Sequence, residues 1–593
     1  MARRRRTPLR WLIRFRRFIR NDQLVLSVLA VVVGAAAAFG TVLMRLAISA
    51  LHDTFFGTDG GSLIAAVAEA PWWQVLIVPS FGGLIIGLFI YYIMPDRRHQ
   101  GVAAVIEASA LRGGRMSFRA GLGAALASIG SIGVGASVGR EGPAVHLGAT
   151  IGSQIARRLH LTRSMSRCLL GCGVAAAVAA SFNAPIAGAL FAHEVVIGHF
   201  AISAFAPIVI ASVVGTIISR IFFGNFPAFE ILENPLVSYL EFPAVVGLGL
   251  LCGAVAVIFM RATMFTEDQF QKVPGPQWVR PGIAGFLVGL IALVFPQVMG
   301  VGYDATDLAL KVEYSLALLI VLVMAKTAAT AISVGGGFGG GVFTPALMIG
   351  AMLGGAYGII ATDVFPHLSS GPSAYTIVGM GGVAAAVMGA PISTVLIIFE
   401  MTDDYSLTIA VMVAVVIASL ISNQFARGSF FNWQLERAGY DLKHGFETAL
   451  LRSILVRQIM KQAGETVDIG TGLQDVRQKL QHSEIGELFV LRNETELFGT
   501  ITLADLSDIA FDHDVDNLIN AGDVARTHPP VLDATDNLEV ANRVFRESGE
   551  HYIAVVENHD NMIYVGTLYE ADVLAAYNRA LVETRREEHE GHL

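Results

Sequence analysis

Long runs of apolar residues dominate most of this chain. Stretches without Asp, Glu, Lys or Arg cover 23–44, 70–95, 168–193, 195–219, 281–303, 327–362, 364–399 and 405–426. A membrane-spanning helix needs about 20 apolar residues, so each run has the length for a crossing. The runs 327–362 and 364–399 are each 36 residues long. They are too long for one span and rich in Gly and Pro, which predicts broken or tilted helices. Non-helical backbone at membrane depth is tolerated only where it lines a protein-enclosed cavity, so the breaks point to a transport pathway. Near residue 450 the pattern changes to strand-like and helical segments in alternation, the mark of a soluble tail.

Composition sharpens this picture. The chain has 593 residues, 54% hydrophobic and 15% charged, with a mean hydropathy of +0.58. Soluble chains carry about 25% charged residues. Disorder is excluded by the hydrophobicity. Cys168, Cys172 and Cys252 sit in apolar surroundings, which fits neither a disulfide scaffold nor a metal site. Residues 1–22 carry nine Arg and one Asp, whereas 451–593 carry 12 Lys+Arg against 26 Asp+Glu. The expected divisions are a basic arm (1–22), a membrane domain (23–445, with halves 23–222 and 235–440), two tail units (453–515 and 520–580) and a charged tail (581–593). The arm is too long and too basic for a cleaved signal. It predicts either a disordered basic tail or an interfacial helix with Trp11, Leu12, Phe15, Phe18 and Ile19 on its apolar face. The positive-inside rule keeps it cytoplasmic. The acidic tail excludes nucleic acid as a partner, because phosphate contacts need Lys and Arg.

The strongest signal is an internal repeat. Residues 131–143 (SIGVGASVGREGP) and 333–345 (SVGGGFGGGVFTP) share Ser131/Ser333, Gly133/Gly335, Gly135/Gly337, Gly139/Gly341 and Pro143/Pro345 at an offset of 202. Gly148/Gly350 and Gly152/Gly354 continue the match. The hexapeptide GVAAAV then occurs at 173–178 and 382–387, an offset of 209. Ala184-Pro185 pairs with Ala390-Pro391, and a lone acid closes each half at Glu194 and Glu400, an offset of 206. These offsets imply small insertions and deletions. Two similar membrane halves mark a transporter with its site at the repeat interface. A glycine turn feeding a helix start leaves backbone N–H groups without intrahelical partners, at the positive end of the helix dipole. Two such starts meeting at mid-membrane favour an anion over a cation.

At these residues the sequence resembles the CLC family of chloride channels, voltage-gated ones among them, and chloride/proton antiporters. Gly139-Arg140-Glu141-Gly142-Pro143 is similar to the family's GREGP signature, and Gly341-Val342-Phe343-Thr344-Pro345 to its G-x-F-x-P signature. The resemblance implies an all-α polytopic membrane fold of two inverted halves, with broken and tilted helices. It also implies a homodimer with one chloride path per subunit. By position, Glu141 becomes the gating glutamate; otherwise it merely caps its helix. Burial penalises its charge while the helix start favours it, so both protonation states are accessible. Gln100, Gly101, Gly139, Arg140, Gly142, Gly341, Val342, Phe343 and Phe431 match the anion-binding positions, with Phe430 as the alternative to Phe431.

Three positions depart from the family pattern. Gln100 stands where a chloride-contacting Ser is usual. Phe431 replaces a Tyr hydroxyl. Val195 takes the place of the Glu that hands over protons in antiporters. His193 could shuttle protons or simply pack. The reading is passive or weakly coupled chloride transport gated by Glu141. Its alternative is proton-coupled antiport using His193 or water.

The tail contains two similar units, with strands expected at Leu488–Leu491 and Tyr552–Val556, that resemble a tandem CBS pair of α/β type. Such pairs can hold an adenine nucleotide, for which Thr502, Asp505 and Asp572 are candidates. Tyr569 replaces the second hydroxyl residue, and a dimerising scaffold is the favoured reading. No cofactor is required and no metal-ligand spacing or catalytic constellation is evident, so an enzyme is not expected. Pro143 within GREGP argues against a fluoride-selective relative, and glycine breaks that open helix N-termini argue against a CBS-gated metal transporter, which would need carboxylates or backbone oxygens in the path. The expected location is a bacterial inner membrane, with both termini cytoplasmic.

Overall fold

The computed structural model describes residues 22–589 apart from 59, 199–201, 226–237, 427, 440–453, 463, 484 and 508–517. The basic arm with its Trp11–Ile19 face, and the final residues of the charged tail, lie outside the described residues. The chain divides into two compact units, Met1–Asp441 and Leu442–Leu593.

Among its described residues the first unit is built of helices, and eight in the chain are long and apolar enough to cross a membrane. Its outer helices turn large apolar side chains outward, Phe81, Tyr92, Ile221 and Leu420 among them. Of these eight, Arg163–Phe182 is the most deeply buried, along almost its whole length. Small residues make that possible, because Gly and Ala let helix backbones approach closely.

The broken runs are broken as expected. Residues 327–362 hold the end of helix Leu316–Gly335, a loop, and most of helix Phe343–Val364; residues 364–399 hold Pro372–Met388 and most of Pro391–Thr402. Two other runs correct the expectation of one span each. Run 168–193 stops at Asn183, in the left-handed region (φ 59°), and restarts as the short helix Pro185–Phe191. Run 281–303 contains only the 13-residue helix Arg280–Ala292, a 3-10 turn at Pro296–Val298, and the first residue of helix Tyr303–Leu310. Proline at the first helical position suits these restarts, since its missing N–H has no intrahelical partner there anyway. Lys326 interrupts the apolar pattern yet lies fully buried within helix Leu316–Gly335.

The repeat register also differs from the identical hexapeptides. A methyl added at Gly148 would lie 2.2 Å from the Gly173 carbonyl oxygen, and one at Gly350 would lie 2.3 Å from that of Gly379. Gly152 faces the Leu169 carbonyl and Gly354 that of Tyr375, both at 2.1 Å. Gly173 therefore corresponds to Gly379 and Leu169 to Tyr375, an offset of 206 and not 209. The same offset relates the left-handed helix ends at Asn183 and Gly389. The second half gains four residues between Gly354 and Tyr375, and the GVAAAV match is out of structural register.

The second unit contains two small mixed sheets. Strands β1 (Thr466–Asp468), β2 (Glu487–Arg492), β3 (Glu496–Thr502) and β4 (Arg526–Thr527) form one in that order. Strands β5 (Val531–Asp533), β6 (Tyr552–Val556) and β7 (Tyr564–Tyr569) form the other. Each sheet opens with a parallel pair joined across a helix, Leu473–His482 or Leu538–Ser548, and continues antiparallel. The two expected strands fall within β2 and at β6.

Candidate functional site

The two glycine-rich loops cross at the centre of the first unit. Gly135 and Gly337 hold matched left-handed conformations, φ 92° and 93°, which a side chain would strain. After each, the chain turns into a helix, Glu141–Arg158 in the first half and Phe343–Val364 in the second. The loops are fastened reciprocally. Ser131 Oγ accepts from the Gly339 N–H at 2.9 Å, and Ser333 Oγ accepts from the Ser137 N–H at 3.1 Å. The Gly139 N–H donates to the Gly341 carbonyl at 2.6 Å, and the Gly341 N–H returns to Gly139 at 2.7 Å. These bonds form a local two-fold arrangement. They correct the expectation for Gly139 and Gly341: their amides pair with each other and are not left for an anion.

A second reciprocal pair lies at the closing acids. Glu194 accepts from the N–H groups of Ile392 and Ser393 at 3.0 and 2.8 Å. Glu400 accepts from those of Ile186 and Ala187 at 2.9 and 2.8 Å. Each half's acid caps the proline-led helix of the other.

Beside this crossing is a cavity of about 1260 Å³, whose lining includes Gln100, Gly101, Glu141, Gly142, Gly341, Val342, Phe343, Phe430 and Phe431. The structure thus brings most of the sequence-expected anion positions together, and both phenylalanines of the uncertain pair face the same space. Val342 and Phe343 open their helix, so their amides have no intrahelical partner. The charged lining is six Arg (97, 98, 112, 115, 280, 437) against Glu107, Glu141 and Glu267. This excess of positive charge draws anions inward. Arg140 is not among the described lining residues; it turns toward Tyr303, with its guanidinium carbon 4.8 Å from the ring centroid. Val195 and His193 are also absent from the described lining, and lie in the π-helical turn Ala192–Ile197. His193 is fully buried, its ring 5.8 Å from that of Phe205.

Glu141 itself is 4% exposed. Its Oε1 accepts from the Tyr303 hydroxyl at 3.1 Å and lies 3.7 Å from Arg140 Nε. Its Oε2 has no hydrogen-bond partner among the described residues. A methyl at Gly139 would come within 2.8 Å of that oxygen, so glycine there lets the carboxylate approach the loop. Sequence reasoning missed Tyr303, which lies 162 residues away. It also missed His99, whose Nε2 accepts from the Gly340 N–H at 3.1 Å. The reciprocal serines were visible only as a repeat match.

In the tail, the Thr502 N–H and hydroxyl both donate to Asp505 Oδ2, at 2.8 and 2.7 Å, closing a local turn. Asp572 lies 3.8 Å from Lys461 Nζ. Glu487 on β2 is the unexpected group. Burial and the neighbouring Glu550 push its carboxyl up to about 7.

Taken together, crossed glycine loops, a buried carboxylate at a helix start and a basic cavity in a multi-pass membrane protein define an ion-transport protein of two repeated halves. Over residues 82–423 the chain matches the family described as voltage gated chloride channel, and over 456–512 and 521–579 it matches the CBS domain. It belongs to the voltage gated chloride channel (CLC) family, with a C-terminal pair of CBS domains. A chloride channel protein described as ClcB-like from Ralstonia nicotianae is 35% identical over 390 residues, covering 65% of this chain and 91% of that relative. The voltage-gated ClC-type chloride channel ClcB of Escherichia coli is 31% identical over 406 residues, covering 68% and 97%. Among solved structures, a slow cyanobacterial Cl−/H+ antiporter shares the fold with a TM-score of 0.64 at 23% identity, covering 70% of this chain and 97% of that one. A eukaryotic CLC transporter gives 0.61 at 19% identity, covering 92% and 97%.

Proposed function

We propose that this chain moves chloride across a bacterial inner membrane as a homodimer, one path per subunit, by passive or weakly proton-coupled transport gated by Glu141. One observation carries the reading. Glu141, buried at the start of its helix, shares a cavity with Val342 and Phe343 at the start of the matching helix. Arginines at the cavity walls concentrate the anion, and amides hold it without a full charge that would retain it. The ionised carboxylate competes for the amide-lined place, and protonation withdraws the charge and frees it. Flux therefore rises as pH falls.

Val195 supports passive transport, because an apolar side chain there carries no proton. The location of His193 outside the described cavity lining supports it further. The second reading, proton-coupled antiport through His193 or water, requires a proton route that bypasses this cavity wall. The tail acts as a dimerising scaffold on a membrane domain ending near residue 445. Thr502 and Asp505 serve that scaffold locally, the hydroxyl and N–H of one closing a turn on the carboxylate of the other.

The test is chloride efflux from proteoliposomes under a chloride gradient, with pH recorded simultaneously. Chloride flux without proton movement is expected. Uphill proton movement driven by chloride would overturn passive transport and establish antiport.

A further inference from the structure

Tyr303 begins the helix Tyr303–Leu310 directly after Gly302, whose φ is 99°. Its counterpart in the first half is the helix Val102–Ala110, which begins after Gly101. The two helix starts are 201 residues apart. In the first half, the segment before the helix reaches across to the second-half loop, through His99 Nε2 and the Gly340 N–H. In the second half, the start of the helix reaches across to the first-half loop, through the Tyr303 hydroxyl and Glu141 Oε1. Both contacts cross from one half to the other, from different places along the matched segments.

The tyrosine is also held from both sides. Lys326 Nζ donates to the carbonyls of Val298 and Gly300, each at 3.0 Å, fixing the segment before it. The Gly300 N–H donates to the Gly135 carbonyl at 3.3 Å, tying that segment to the first-half loop. Asp304, the next residue, accepts from Ser62 Oγ at 2.8 Å and the Leu63 N–H at 2.9 Å. A donor so fixed is preorganised, and loses little freedom when it holds its acceptor.

We propose that Tyr303 is a positioning residue for the gate: its hydroxyl holds the ionised Glu141 carboxylate seated and sets the pH at which the carboxylate lets go. This rests on the reading of Glu141 as the gate. A hydroxyl donates more strongly to a carboxylate than to a neutral acid, so the contact favours the seated, charged form. The grip is one-sided. Oε1 is framed by Tyr303 and Arg140, while Oε2 has no hydrogen-bond partner among the described residues. The other charged groups nearby are Arg45, which acts on Arg140 and Tyr303 from helix Asp22–Phe56, and Lys326 behind the loop. His146 follows on the Glu141 helix itself. None of these is altered when Tyr303 loses only its hydroxyl.

The experiment is the pH profile of chloride efflux from proteoliposomes for the parent, Tyr303→Phe, Glu141→Gln and the double variant. Phenylalanine keeps the ring against which Arg140 packs. Tyr303→Phe should move the half-maximal pH upward by about one unit, a tenfold change in proton affinity. Glu141→Gln should flatten the profile, and Tyr303→Phe should add nothing in that background. A 3-fluorotyrosine at 303, a stronger donor differing by one atom, should move the midpoint downward and guards against a folding defect in the phenylalanine variant. An unmoved midpoint in both Tyr303 variants, with Glu141→Gln flat, overturns the positioning role alone. A profile that survives Glu141→Gln overturns the gate reading and this inference with it.

Discussion

The two central helices of the membrane unit start on the same backbone and carry different side chains. At the offset of 202 that matches the loops, Glu141 in the first half corresponds to Phe343 in the second. Both residues open their helices, both are buried, and both line the same cavity. The shared backbone makes an anion-friendly place twice over, through glycine turns and helix starts. The difference is chemical: one start carries a carboxylate, and the other an aromatic ring whose centroid lies 5.0 Å from that of Phe182. Repetition thus supplies the backbone twice, and at this pair of positions the side chains differ in charge.

Breaking the asymmetry gives the largest expected effect. Phe343→Glu places a second carboxylate at the matched start. Chloride efflux should fall about tenfold or more at neutral pH and recover on acidification, since each pH unit changes the charged-to-neutral ratio about tenfold. Efflux unchanged at neutral pH would show that the two starts are not equivalent. The closing acids test symmetry through stability. Glu194→Ala and Glu400→Ala each leave two helix-start N–H groups uncapped, at a cost of about 1–3 kcal/mol. Thermal unfolding in detergent should show similar losses for the two, and a large inequality would break the comparison. Gly148→Ala and Gly350→Ala push a methyl against a facing backbone in each half, at about 1–3 kcal/mol, and the same assay compares them.

An effect of similar size lies in the tail. Burial beside Glu550 keeps Glu487 protonated up to about 7, whereas its ordinary value is 4.5. The native tail therefore binds a proton that the unfolded chain releases. Its contribution is fully present below about 4.5 and is lost as pH rises through about 7. Glu487→Gln should remove that slope and stabilise the tail at pH 8 by on the order of 2 kcal/mol. Hydrogen exchange of the β2 and β3 amides in the full chain, measured across pH, reads it directly.

Much of this arrangement was legible along the chain, because apolar runs and glycine breaks are local signals. The breaks within 327–362 and 364–399 announced themselves by length and composition, and the paired loops by their shared Ser, Gly and Pro. What failed did so for want of three-dimensional register. Identical GVAAAV hexapeptides suggested an offset of 209, yet backbone approach at Gly148 and Gly350 selects 206. Gly139 and Gly341 looked like free amides, and no local pattern shows that they bond to each other. Tyr303 carries no signal at all in its own segment, since its meaning comes from a carboxylate 162 residues away. Run 281–303 looked like a span because hydropathy does not register the turn at Pro296–Val298.

The crossed capping by Glu194 and Glu400 bears on how such a machine can move. Neither half is mechanically self-contained, because the acid that completes each proline-led helix belongs to its sibling. Swinging one half against the other would pull four N–H groups off their carboxylates at once and part the crossed loops as well. The two halves are riveted to each other at these four bonds.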